Sequence, residues 1–175
     1  MSRMVRESTS GGLRERLYFA RLLLDELSAG IDDGEDRSRL LALRGGVVFH
    51  LYSVLAGLLR HCARSYGVPG HETCLGLTEL TRRFSDAGVR AGETTLVNNA
   101  LSNPADPVHW LEQQLRAALD TGGMARRPQP TGDELGVTLE DPDAELAPGD
   151  IERLRAALER VASLLGEALA HGDEW

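Results

Sequence analysis

Residues 39–67 read RLLALRGGVVFHLYSVLAGLLRHCARSYG, and this stretch, extended back to Asp36, decides the fold. Laid on a heptad, Leu41, Val48, Leu55 and Cys62 share one row. Leu51 and Leu58 share the next, with Arg44 and Ser65 at its ends. Leu40, Val47 and Val54 flank one side; Tyr52, Leu59 and Tyr66 flank the other, which Phe49, Ala56 and Ala63 widen. Only His50, Ser53, Gly57, Arg60 and Arg64 form a polar strip. A helix with one wet face carries a single apolar stripe, whereas one that is apolar nearly all round is buried. The spacing therefore predicts a helix from Asp36 to Tyr66, about 30 residues and ~45 Å long. It should have neighbours on at least two sides and turn only the strip to water. Each glycine costs about 1 kcal/mol inside a helix, so Gly45-Gly46 predicts either a kink or a neighbour that needs close approach.

On the N-terminal side, Leu13, Leu17, Ala20, Leu24 and Leu27 repeat at four-three spacing, the seam of a helix from Leu13 to Ala29. Tyr18, Phe19 and Leu22 add apolar surface beyond that seam. Thr9 or Ser10 is the expected cap, Gly30 the expected end, and residues 1–11 are expected to be a flexible N-terminus. On the C-terminal side, Gly67-Val68-Pro69-Gly70 breaks the chain. LGLTELTRRFSDAG then predicts a short helix with Leu77, Leu80 and Phe84 inward, and Glu93 to Ser102 a modest one. Asp106 as N-cap and Pro107 at the first helical position open a helix that should bury Val108, Leu111, Leu115, Ala118 and Leu119. Residues 124–149 hold four prolines and no helical period, and are expected to form a long irregular loop. Ile151, Leu154, Leu158, Val161, Leu165 and Ala168 form the seam of a last helix.

Four long helices and one or two short ones, without a strand pair, predict an all-α fold, an up-and-down helical bundle over residues 12–175. At 175 residues the chain is one domain, long enough to bury a real core.

All 19 basic residues are arginine, and the formal net charge is −8. Residues 132–175 hold 12 of the 27 acids and 3 of the arginines. With no basic stripe, nucleic acid is a disfavoured partner, as is an anionic membrane surface. No unbroken run of 18 apolar residues suggests a membrane span, and MSRMVRESTSGG lacks the apolar core of an export signal. Two cysteines, Cys62 and Cys74, do not make a disulfide framework, and a reducing cytoplasm fits best.

The chemical motifs are sparse. His71 and Cys74 make a His-x-x-Cys pair, but no second pair with ligand spacing exists and a structural zinc needs four ligands. Neither a metal nor any other cofactor is expected. There is no G-x-S-x-G elbow and no phosphate loop, and without lysine there is no lysine Schiff base. Trp110 lies off the seam of its helix, where it could anchor a partner or be covered by the long loop. Tyr18, Phe19, His50 and Tyr52 are the candidates for lining a small-ligand pocket between helices.

Arg44 and His50, within RGGVVFH, resemble the Arg-x(4–6)-His motif of the HEPN superfamily of helical proteins. That resemblance implies RNA cleavage by Arg44 and His50, usually across a dimer. The residue after the arginine, often polar in that superfamily, is Gly45 here. Read from spacing alone, the two side chains stand about 120° apart on a helix, with His50 on the solvent strip and Arg44 paired to an acid. A broader resemblance comes from RLYFARLLLDEL at residues 16–27 and VVFHLYSVLAGLLRHCARSYGVP at residues 47–69, together with the amphipathic last helix and terminal Trp175. These are similar to an uncharacterised bacterial family, domain of unknown function 6586, from about Leu17 to the C-terminus. The family implies a helical layout in a bacterial cytoplasm and assigns no catalytic residue. The reading that results leans away from an enzyme, toward a cytoplasmic protein that works through protein–protein contact as a homodimer or with a protein partner. A HEPN-like ribonuclease is the alternative.

Overall fold

The computed structural model describes residues 9–119 and 149–172. Six α-helices follow in order: α1 Thr9–Asp32, α2 Arg37–Ser65, α3 Leu77–Asp86, α4 Gly92–Ser102, α5 Pro107–Leu119 and α6 Asp150–Gly172. A 3-10 turn, His71–Thr73, precedes α3. No strand occurs among the described residues, so the class is all-α. Three helices are long, at 24, 29 and 23 residues, and α5 ends its described length at 13. The expected loop over 124–149 falls almost wholly outside the described residues, as do residues 1–8 and Trp175.

α2 touches every other α-helix. Its Val47, Leu51, Val54, Leu55, Leu58, Leu59 and Ala63 are all but sealed from solvent. Fully burying one Val or Leu contributes roughly 1.5–3 kcal/mol, so this helix carries much of the core. Asp36 caps it, accepting the Ser38 N–H at 2.9 Å. By length and composition α2 could also cross a membrane, with a mean hydropathy of 1.5 in its most apolar window, where the sequence shows no unbroken apolar run. Half of that window is buried inside the fold.

The polar strip of α2 does not face water. His50, Ser53, Gly57 and Arg60 are half-buried, and only Arg64 is exposed. α1 lies over Gly46, Ser53 and Gly57: a Cβ on Gly57 would stand 2.7 Å from Leu13 Cδ2, and one on Gly46 2.9 Å from Leu23 Cδ1. Arg16 of α1 donates to the Ser53 carbonyl at 3.0 Å. Small residues here are a track for a neighbouring backbone, which is also why α2 runs through Gly45-Gly46 as one helix. The water-facing position next to the strip is instead Phe49, 55% exposed, and Tyr66 at the end of α2 is exposed as well.

The helix ends differ in detail. Thr9, Ser10 and Gly11 lie within α1 rather than before it. Gly30 is buried inside α1, where a Cβ would meet Leu40 Cδ2 at 2.9 Å. The turn comes at Gly34, with φ +68, and the Glu35 N–H closes back on the Gly30 carbonyl at 2.9 Å. Gly67, Gly70 and Gly88 also have positive φ, so the breaks after α2 and α3 fall where glycine permits them. Leu77, Leu80 and Phe84 point inward as α3's spacing demands. Asp106 caps α5 at Val108 N–H, 2.9 Å, and also holds Arg160 of α6 at 2.9 Å. Val108, Leu111 and Leu115 are buried as the spacing requires, but Ala118 is half-buried and Leu119, the last described residue of α5, is 69% exposed. In α6 every seam residue is buried except half-buried Ile151.

Candidate functional site

The structure separates the residues that spacing groups together. Arg44 projects from α2 into a buried polar cluster with α5 and α6. Its Nε donates to Asp150 Oδ2 at 2.9 Å and its Nη2 to Gln114 Oε1 at 2.6 Å. Arg44 is 5% exposed and Asp150 4%. Asp150 is the first residue of α6, where the positive end of the helix favours a carboxylate. The arginine thus fastens α6 to α2, and no surface is left on it for a phosphate.

His50 stands elsewhere, under the rings of α1. Its imidazole meets Phe19 edge-on at 5.6 Å between centroids and Phe49 at 5.7 Å. Tyr18 continues the row at 6.2 Å from Phe19. His50 Nδ1 is buried and has no hydrogen-bond partner among the described residues. Tyr18 is 57% exposed, and Leu22, one turn further along α1, is 46% exposed. Tyr18, Phe19, Leu22 and Phe49 therefore make a row of apolar side chains on the outside of α1 and α2, with His50 beneath it. Three of the four ligand candidates, Tyr18, Phe19 and His50, are brought together here. They form a surface rather than a pocket.

Tyr52, two positions after His50, points to another side of α2. Its hydroxyl accepts the backbone N–H of Leu77 at 2.8 Å. Gly76 precedes α3 and offers no side-chain cap, so the phenol from α2 satisfies one of the orphan donors at the start of α3. Burial first, and then the Glu112 carboxylate, push the phenol well above its ordinary pKa and keep it protonated. Glu112 itself is buried on α5, with Arg116 Nε at 3.1 Å from its Oε1. Spacing gave no warning of Glu112 or Gln114. Both sit beside the Leu111–Leu115 seam in LEQQLR, where a polar residue ordinarily borders water.

The remaining candidates are held structurally. His71 is buried with Nδ1 at 2.7 Å from the Val68 carbonyl, and Cys74 is buried with Sγ at 3.4 Å from the Gly70 carbonyl. Among the described residues no three metal-ligating side chains converge. Trp110 is half-buried against the core.

Compared with known proteins, residues 8–175 match the model of a Family of unknown function (DUF6586). Neither a curated protein nor a solved structure matches the chain.

Proposed function

The chain belongs to the DUF6586 family, whose function is unknown, and on that premise we propose that it is a non-enzymatic cytoplasmic binding module that pairs with a second copy of itself through the outer face of α1 and α2. The observation that carries this reading is the set of exposed side chains Tyr18, Phe19 and Phe49, with Phe19 and Phe49 both meeting the His50 ring and Leu22 exposed one turn from Tyr18. Contiguous apolar surface on one side of a helical protein is the usual core of an interface. Aromatic side chains bury roughly 150–250 Å² each when fully covered, and with Tyr18, Phe19 and Phe49 about half exposed they supply the centre of a standard interface of ~800 Å² per partner, with the rest coming from Leu22 and the rim. The exposed charges around the row on α1 are mixed: Arg14, Glu15, Arg21, Asp25 and Glu26. A two-fold pairing sets a patch against itself, and a mixed rim lets it do so without like-charge repulsion. Arg44, bound to Asp150 and Gln114, gives the ribonuclease reading no support.

Size-exclusion chromatography with light scattering tests the reading. The wild-type chain should run as a dimer. Phe49→Asp and Tyr18→Asp, both at exposed positions, should run as folded monomers. A wild-type chain that is monomeric at every concentration overturns the proposal, as does a dimer that both variants leave intact.

A further inference from the structure

The feature that the aromatic face leaves unused is a groove of 400 Å³ between α3 and α4. That volume lies in the lower part of the ~300–1,000 Å³ range of small-molecule sites. No carboxylate is among its lining residues, although the chain carries a formal net charge of −8. Two arginines are: Arg82 on α3 and Arg90 just before α4. Both are exposed, and neither has an ion-pair partner among the described residues. The acids of α3 do not answer them. Glu79 lies 3.7 Å from Arg83 Nη2 and, with Glu112, lines the adjoining groove toward α5, which shares Thr78 and Arg82 with this one. Asp86 is exposed outside the lining.

The neutral polar groups of the lining point the same way. The hydroxyls of Thr81 and Thr95 already donate to the Thr78 and Ala91 carbonyls, at 3.0 and 3.1 Å. Thr94 differs. It is 7% exposed, and its Oγ1 is buried without a hydrogen-bond partner among the described residues. A buried hydroxyl left unpaired is costly, and a ligand atom that pairs with it removes the cost. Thr94 also sits in the first turn of α4, whose N-cap, Ala91, offers no side-chain bond to the N–H groups there. That end of a helix favours negative charge. An amine in this groove would meet two guanidinium groups and no acid. A neutral molecule would leave both guanidinium groups to water. A carboxylate has two oxygens to share among two arginines and a hydroxyl, whereas a phosphate has three and carries more charge.

We propose that the groove between α3 and α4 is a phosphate site, taking a free phosphate or the phosphate group of a small ester. Arg82 and Arg90 hold its oxygens from the two helices, and the Thr94 hydroxyl donates to a third oxygen.

Isothermal titration calorimetry of the full chain, at fixed ionic strength in chloride, tests this with inorganic phosphate and glycerol 3-phosphate, against acetate. At least one of the two phosphates should saturate the protein at a ratio of one per chain, and acetate should bind at least ~10-fold more weakly. Saturation by inorganic phosphate shows that the free ion suffices; saturation by glycerol 3-phosphate alone assigns the site to an ester. Arg82→Ala and Arg90→Ala, both at exposed positions, should each weaken the phosphate ~10-fold, while Arg64→Ala, exposed on α2 outside the groove, should bind as wild type. Thr94→Val keeps the shape of the side chain and removes an unpaired hydroxyl, so it should melt no lower than wild type and still bind the phosphate ~10-fold more weakly. No saturation by either phosphate at millimolar concentration overturns the proposal. So does equal binding of acetate, wild-type affinity in any of the three groove variants, or an equal loss in Arg64→Ala. The groove and the aromatic face share no residue, so each proposal survives the failure of the other.

Discussion

α2 is held in opposite ways on its two sides. Toward α1 the contact is made mainly by shape: Gly46, Ser53 and Gly57 leave room for Leu13 and Leu23, and the polar links, from Arg16 to the Ser53 carbonyl and from Arg39 to Glu26, are exposed. Toward α3, α5 and α6 it is made by directed polar contacts: Arg44 to Asp150 and Gln114, and Tyr52 to Leu77. A close-packed track tolerates small slips along the helix, whereas a buried ion pair is right in one register or not at all. The difference teaches how the chain uses its surfaces. The helix packed by shape is the one that carries Tyr18 and Phe19, exposed near Phe49 of α2, while the polar contacts fix α3, α5 and α6.

The comparison breaks most sharply at Arg44. Arg44→Met leaves Asp150 buried without its cation, and removing one partner of a buried pair costs about 3–5 kcal/mol. Urea denaturation should show a loss of that order, against little change for an exposed arginine such as Arg64. Adding Asp150→Leu should restore part of the stability, because the second substitution removes the orphaned charge. If Arg44→Met alone unfolds no earlier than wild type, the polar side of α2 is not what holds α6.

A second test uses pH on the same side of the helix. Burial, and then the nearby Glu93 carboxylate, push the Cys62 thiol from 9.0 up to about 12. The folded pKa lies above the unfolded one, so this contribution is complete below pH 9 and is lost as pH rises toward about 12. The urea midpoint should therefore fall across that window. Cys62→Ala should start lower, from the cavity it leaves, and fall less steeply. In the native protein Cys62 should also resist a thiol reagent at pH 8 that modifies it at once in urea.

How much of this the sequence carried follows from what kind of fact each is. The central place of α2 was legible because its apolar rows leave no dry-to-wet boundary wide enough for a surface helix. Asp106-Pro107 and the α3 and α6 seams were legible for the same local reasons. The reading of Arg44 as the partner of an acid was also available from its place at the end of an apolar row. Its partner was not, since Asp150 is 106 positions away and only packing brings it near. Spacing alone turns the strip His50–Ser53–Gly57 to water, because small and polar residues usually border it. Their other use, as a track for a helix, depends on whether a neighbour arrives. Exposure of Tyr18, Phe19 and Phe49 was hidden for the converse reason, since an apolar residue does not announce that nothing covers it. Glu112 gives no signal in the sequence because a charge next to a seam ordinarily reaches solvent, and its burial is decided by packing.

The smallest effects probe the track itself. Alanine in place of glycine inside a helix gains about 1 kcal/mol in propensity, and an overfilled contact costs roughly 1–3 kcal/mol. At Gly57 the new Cβ would stand 2.7 Å from buried Leu13 Cδ2 and 3.2 Å from Arg16 Nη1. Leu13 has little room to turn, so Gly57→Ala should lose about 1 kcal/mol net. At Gly46 the only close atom is Leu23 Cδ1, at 2.9 Å, on a half-buried side chain that can rotate outward. Gain and cost should nearly cancel there, leaving Gly46→Ala within about 0.5 kcal/mol of wild type. Thermal melting of the two variants side by side measures the gap. Equal stabilisation by both would mean that α1 rides loosely over α2, and the contrast between a side packed by shape and a side fixed by charge would go with it.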